Sequence, residues 1–354
     1  MISTSANEDD IPDNTQPQGF NPVKIAQVDY LGEQHTNSCT HRDLGFVGQV
    51  AGRWFAIYGD TLWCKPGVTD SSQDPEGFHG MVRDSIAECT DNALRVNFTQ
   101  LNEDTPVAHP KQFVPYNEAW GESITTGFGG TSLCPVDEEN SLLFFLVNQN
   151  SEGLVGAGVA QVQLRDGIPT VVKRYGDNGW WWNANSEARY GDVAAYRDEN
   201  SEFIYGWGGA PTNIKDFVPG QYVYQVRVMA SAAWDKSQYE YWWGRSAGWK
   251  NAPLTTFNKE TAVMWGVGQG STYYSPYYKC YFYVHFNNAD ISIRTAPTPE
   301  GPWAADVKVY TPTPIQGGFT YSPGIHPYLD PTGRSLTINY TNNNHIQVIK
   351  ATFE

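Results

Sequence analysis

The densest run of polar chemistry in the chain is His41-Arg42-Asp43-Leu44-Gly45, followed after a short gap by Gly52-Arg53-Trp54-Phe55-Ala56-Ile57-Tyr58-Gly59-Asp60-Thr61. If Asp43 opens one strand and Arg53–Asp60 is its antiparallel neighbour, the start of the first and the end of the second share a rim. Two carboxylates then face one mouth. One ionised and one held protonated by its surroundings are the usual equipment for cutting a bond between sugars. Their separation would set the stereochemistry, about 5–5.5 Å for retention and about 6.5–9.5 Å for inversion. A plainer reading makes Asp60-Thr61 a strand-ending turn and Asp43 an ordinary turn acid, and spacing alone does not choose.

Other side chains compete for roles in that mouth. Glu122 and Asp192 each fall near the start of an expected inner strand, where either would act as a general acid or tune another acid. In Arg83-Asp84-Ser85 the charged pair would hydrogen-bond sugar hydroxyls or simply pair with each other. His41 with Arg42, and His326 at the expected start of the last inner strand, would bind substrate, and two histidines at one rim would also suit a metal; a structural histidine is the alternative. Among the 13 tryptophans, Trp181 and Trp182 of the Trp180–Trp182 run, Trp207 and Trp265 are candidate stacking platforms for a sugar ring. Packing between sheets competes for the same residues. Three consecutive strand residues cannot all face a core, so at least one ring of the run is expected to point away from it.

What must position these residues is legible as a recurrence. Lys279–Phe286 alternates apolar and polar residues, a turn follows, and Ile291–Ala296 alternates again; Ser335–Thr341 and His345–Ala351 repeat the layout. Looser copies pair Leu142–Asn148 with Gly158–Leu164, Glu202–Gly208 with Tyr222–Met229, and Arg53–Asp60 with Val82–Glu88. Five such hairpins, starting roughly 55–90 residues apart, suit four-stranded blades and are too widely spaced for a solenoid. The expected fold is all-β, a five-bladed β-propeller with blades over about 40–115, 116–180, 181–255, 256–312 and 313–354. The last blade has only three clear strands. Val23–Tyr30 alternates without a nearby partner, so it is expected to complete that blade and close the ring. Residues 1–20, acidic and nearly free of apolar groups, read as a disordered lead-in to a single domain over 21–354.

Bulk properties limit the partners. With 23 Lys+Arg against 38 Asp+Glu, a net charge of −15 argues against nucleic acid or an anionic membrane and favours a neutral, saccharide-like ligand. No apolar stretch approaches the roughly 20 residues of a membrane span, and the N-terminal segment lacks a signal-peptide pattern, which leaves a mature extracellular form or a cytoplasmic protein open. The five cysteines show no zinc-like spacing, so neither a metal nor another cofactor is expected; one disulfide among Cys39, Cys64 and Cys89 is. Asn97-Phe-Thr and Asn339-Tyr-Thr match the glycosylation sequon. A monomer is expected.

Three patches carry a family resemblance. The HRDLG…GRWFAIYGDT segment resembles the DLG…GR…FGDT opening of the family catalogued as domain of unknown function 4185, part of which is glycoside hydrolase family 183, the endo-D-arabinanases. Gln238-Tyr239-Glu240-Tyr241-Trp242-Trp243-Gly244…Gly248-Trp249 is similar to its YEYW-G…W stretch, and Arg294-Thr295-Ala296…Pro299-Glu300-Gly301-Pro302-Trp303 to its R-A…P-GPW stretch. The resemblance implies a five-bladed propeller, cleavage of a D-arabinan-like furanose polysaccharide, and catalytic aspartates at Asp43 and Asp60. Asp192 after Gly191 and the His41-Arg42 pair depart from the bacterial pattern, which leaves another furanoside or a uronide open as substrate. Two rival classes remain: a propeller lectin, which should repeat its motif in every blade, and a polysaccharide lyase, for which His41 would be the base and Arg42 the uronate clamp.

Overall fold

Strands that alternate between two faces need both faces covered, and blades stacked face to face around an axis satisfy this for every strand but the outermost. A computed structural model, which describes residues 20–74, 78–103, 105–149, 152–213 and 222–354, shows five antiparallel sheets in such a ring. Their innermost strands, Thr40–Val50, Thr126–Pro135, Ala194–Arg197, Ser271–Ser275 and Thr320–Ile325, touch one another in sequence around the axis. Each of the five expected hairpins forms one blade's next two strands, as in Phe203↔Met229 and Asn287↔Asp290. Except for Phe20, the expected lead-in lies outside the described residues.

Closure works as the alternation implies. Ile25–Glu33 pairs antiparallel with His345–Phe353, from Ile25↔Phe353 to Glu33↔Gln347, and becomes the outer strand of the last blade. Just before it, Val23 is buried and the Asn21 side-chain amide donates to the Ile293 and Ala305 carbonyls of the fourth blade. Arg42, expected at the substrate, belongs to this closure instead: its guanidinium donates to the Gln34 carbonyl at 2.6 Å and lies 4.8 Å over the Tyr58 ring, almost fully buried.

The core is divided among the interfaces between blades. Phe55 and Ile57 of the first blade pack with Phe145 and Val147 of the second. Phe144 meets Tyr224 and Val226, Trp207 meets Tyr283, and Phe282 meets Ile338. This packing claims two expected sugar platforms, since Trp182 and Trp207 have no exposed surface. The Trp180–Trp182 run is not a continuous strand: only Trp182-Asn183 pairs, and it pairs with Gly156-Ala157 of the second blade, not the third. Trp180 and Trp181 are half-buried, Trp181 against Tyr175 and Tyr239.

Two of the patches quoted above meet around one cation. Arg227 is held by Glu240 at 2.8 Å and Glu300 at 3.6 Å, and its guanidinium sits over the rings of Phe203 and Trp249. The Trp249 indole N–H donates to Glu300, and the Gln225 amide to the Pro299 carbonyl. These residues lock the third blade to the fourth.

Deleting residues 1–32 removes the outer strand and both Asn21 anchors, so the truncated chain should lose its cooperative thermal transition in circular dichroism. Deleting 1–18 should leave Tm within about 1–2 °C of the intact chain. A 33–354 chain that melts like the full protein would rule out closure by this strand.

Candidate active site

Asp43 owes its position to an irregularity in the first hairpin. The ladder runs Arg42↔Thr61 and then Leu44↔Tyr58, so Asp43 stands opposite two residues, Gly59 and Asp60. Such a bulge re-aims a side chain. Leu44 takes φ 66°, unusual for a residue with a side chain, and Gly45 follows at 94°. The fifth blade holds this conformation: the Leu44 N–H donates to Thr341 Oγ1 at 2.9 Å, and Asn339 Nδ2 donates to the Gly45 carbonyl at 3.1 Å. Gly59 is needed for a different reason, because a Cβ there would lie 2.4 Å from Asp43 Oδ1. Asp43 therefore rests on the peptide that carries Asp60.

The two acids have different surroundings. The Tyr321 hydroxyl, at the start of the fifth inner strand, donates to Asp43 Oδ2 at 2.8 Å, and among the described residues no cation pairs with the carboxyl. Burial, opposed by that hydrogen bond and reinforced by the Asp60 charge, takes the Asp43 pKa up to about 7. Asp60 is open, its side chain 48% exposed, with Arg83 Nη1 at 3.6 Å from Oδ1. Burial raises its pKa too, against the lowering pull of Arg83. Asp43 thus holds its proton to a higher pH than a free carboxyl does, while Arg83 opposes the rise at Asp60.

Of the other expected site residues, Arg83 and Asp192 also lie at this rim. Asp192 immediately precedes the third inner strand, where its Oδ2 accepts from Arg189 Nε and Nη2. The rest serve the scaffold. Glu122 is buried with both oxygens taken by Arg174 at 2.6 Å, and one also by the Asn117 N–H, so it has no free lone pair turned to the mouth. Asp84 is sealed and receives the Phe113 and Val114 N–H groups, which fixes the loop beside it. Trp265 is buried under the Arg294 guanidinium, 4.5 Å from its ring. His326 follows the last residue of its inner strand rather than opening it, is buried, and has its pKa lowered to about 4. His41 is buried beside Asp74 and the His345 ring. The paired-histidine rim site therefore does not form, and neither His41 nor Arg42 is placed to act as a lyase base or clamp. Asn339 is buried as well, which removes that sequon from the surface.

Sequence reasoning missed Tyr321, Thr341 and Asn339 as partners of the Asp43 turn. A cavity of about 350 Å³, lined by Trp54, Tyr196, Tyr274 and Tyr328 among others, lies toward the far ends of the inner strands and includes neither aspartate.

The family model described as "Domain of unknown function (DUF4185)" matches residues 34–351. No curated protein matches in sequence. Among solved structures, a protein from Bacteroides ovatus, assigned only provisionally as a hydrolase, is 14% identical with a TM-score of 0.59, over 90% of this chain and 86% of that one. A GH43_1 enzyme from Xanthomonas citri, complexed with xylotriose, is 12% identical with a TM-score of 0.54, over 91% of this chain and 89% of its own. An exo-beta-1,3-galactanase from Phanerochaete chrysosporium, bound to beta-1,3-galactotriose, is 11% identical with a TM-score of 0.52, over 92% of this chain but 64% of its own. At such identities the likeness is one of fold.

The surroundings of Asp43 make two measurable statements. Tyr321→Phe removes a hydrogen bond that favours the ionised carboxyl, so the Asp43 pKa should rise above about 7 and the alkaline limb of any Asp43-dependent pH profile should move up with it. A folded-state pKa above the unfolded value means the protonated carboxyl is preferred in the fold; its stability contribution is present at low pH and lost as pH rises through about 7. Asn mimics the protonated form. The Tm of Asp43→Asn relative to the parent should therefore climb by several degrees, about 2–4 °C per kcal/mol, between roughly pH 4.5 and pH 8.

Proposed function

We propose that this chain, which belongs to the DUF4185 family, is a glycoside hydrolase that cuts a furanose-containing, D-arabinan-like polysaccharide. The observation that carries the reading is the contrast between Asp43 and Asp60 across one bulge. Asp43, buried and with a pKa near 7, is the proton donor to the leaving-group oxygen. Asp60, exposed and beside Arg83, is the carboxylate that attacks the anomeric carbon or activates a water to do so. Tyr321 orients the donor and limits how far its pKa rises, and Arg83 keeps its partner ionised. The saccharides bound to the Xanthomonas and Phanerochaete enzymes on the same fold support a carbohydrate as the ligand class. The patches shared with the endo-D-arabinanases support the furanose assignment. A polymeric substrate and the Cys39–Cys64 disulfide favour action outside the reducing cytoplasm.

A screen of purified protein against arabinans, galactans and uronate-containing polymers, with chromatography of the products, identifies the substrate. On it, Asp43→Asn and Asp60→Asn should each lower kcat by about 10²–10⁴-fold with Tm no lower than the parent's at neutral pH. The two should differ in one respect. Added azide or formate, small nucleophiles that bypass the base or nucleophile, should rescue Asp60→Gly but not Asp43→Asn on a substrate with a poor leaving group. Wild-type turnover in both Asn variants would remove the assignment, and products absorbing as unsaturated uronates would replace hydrolysis with elimination.

A further inference from the structure

Beside the mouth, at the seam between the first and fifth blades, lies a cluster that the proposed hydrolysis does not use. Atoms of His41, Cys64 and Asp74 able to ligate a metal lie within 4.8 Å of one another, and all three residues are buried. Among the described residues His41 Nε2 has no hydrogen-bond partner, although His41 is only 6% exposed, and it faces Asp74 Oδ2 at 3.8 Å, too far for a hydrogen bond. A buried imidazole nitrogen left unpaired in front of a carboxylate calls for an explanation. The other Asp74 contacts leave that side open: Oδ2 accepts from the Lys65 N–H at 3.0 Å, and Oδ1 faces His79 Nε2 at 3.2 Å. Cys64, the third member, is bonded to Cys39, and its sulfur is therefore not a thiolate.

We propose that this cluster is a redox-exchangeable clamp: with the Cys39–Cys64 disulfide reduced, His41, Cys64 and Asp74 bind one zinc-class divalent cation. Reduction by an external dithiol or phosphine adds two electrons and two protons and leaves two thiols. The cation then displaces the Cys64 proton to solvent and is held by imidazole nitrogen, thiolate sulfur and carboxylate oxygen, with water as the fourth ligand. Bond lengths of about 2.3 Å to sulfur and 2.0–2.2 Å to nitrogen and oxygen place tetrahedral ligand atoms roughly 3.3–3.7 Å apart, so the observed spacings, at most 4.8 Å, need to contract by up to about 1.5 Å. Borderline-soft N, S and O donors suit zinc over calcium or magnesium.

The disulfide does not by itself hold Cys64 in place. Thr40↔Trp63 and His41↔Leu62 pair on the ladder, and the Cys64 N–H donates to the Cys39 carbonyl at 3.1 Å. Either closure, sulfur to sulfur or sulfur to metal, ties the chain from Cys64 to Asp74 to the strand that begins three residues before Asp43.

The test is Co²⁺ titration of the full chain, read by its thiolate-to-cobalt absorption and by competition with Zn²⁺. The phosphine-reduced chain should take up one equivalent and the oxidised chain none. Cys39→Ser, which frees Cys64 without any reductant, should give the same band. Cys64→Ser should abolish it, and His41→Ala should weaken binding by more than the roughly 10–100-fold typical of outer-shell partners. The proposal falls if the reduced chain and Cys39→Ser, both folded by near-ultraviolet circular dichroism, show no band. A band that survives in Cys64→Ser would come from Cys39, Cys89, Cys134 or Cys280 and would also overturn it. Unfolding of both the reduced chain and Cys39→Ser would do the same, because the ladder would then not hold Cys64 unaided.

Discussion

The contact on which the site depends crosses the seam where the ring closes. Leu44 can hold a left-handed backbone only because its N–H reaches Thr341 and the Gly45 carbonyl receives Asn339, and both partners sit on the second strand of the fifth blade. That strand is fixed on its other side by His345–Phe353, which the N-terminal strand covers in turn. Nearly 300 residues separate Leu44 from Thr341 in sequence. A non-glycine residue at positive φ costs of order 1 kcal/mol or more and persists only where surrounding contacts over-determine it. Ring closure and the aim of Asp43 are thus one structural event.

That dependence explains what the sequence reveals and what it hides. Alternation with period two marks the strands of Lys279–Phe286 and Ser335–Thr341 because each is covered by different neighbours on its two faces, and the unpaired Val23–Tyr30 marks the closure for the same reason. The acids of DLG and GDT are legible as a pair because they are joined by one short hairpin. Tyr321 is not, since its partner is 278 residues away and nothing local separates it from the other tyrosines. Glu122 misleads for the same reason: its fate is set by Arg174, 52 residues on. The tryptophan run misleads because period-two reasoning assumes a strand, and Trp180 and Trp181 lie outside one. His41, Cys64 and Asp74 have no motif spacing because a loop, not a helix or knuckle, brings them together.

The conspicuous residues of the resemblance divide into two kinds once placed. Glu240, Trp249 and Glu300 surround Arg227, and Trp303 is fully buried, so the aromatic-rich patches hold blades in register. The first patch instead carries Asp43 and Asp60, joined by the hairpin bulge. A family can therefore share its later motifs for the sake of the ring, and shared motifs alone do not fix what its members act on.

Charge compensation among these acids follows from the same placement. In a chain with a net charge of −15, carboxylates near one rim repel each other unless compensated. Asp60 has Arg83, Asp192 has Arg189, and the buried Glu122 has Arg174. Asp84 has only backbone and amide donors but is sealed away from the mouth. Asp43, among the described residues, has no cation against its carboxyl; its side-chain donor is a neutral phenol and its charged neighbour is Asp60. A phenol stabilises a carboxylate less than a guanidinium does, so burial and the Asp60 charge prevail and the Asp43 pKa is raised. The hairpin bulge thus sets beside Asp60 a carboxyl whose surroundings favour its proton, where the other named acids near it are each matched by an arginine or by backbone donors.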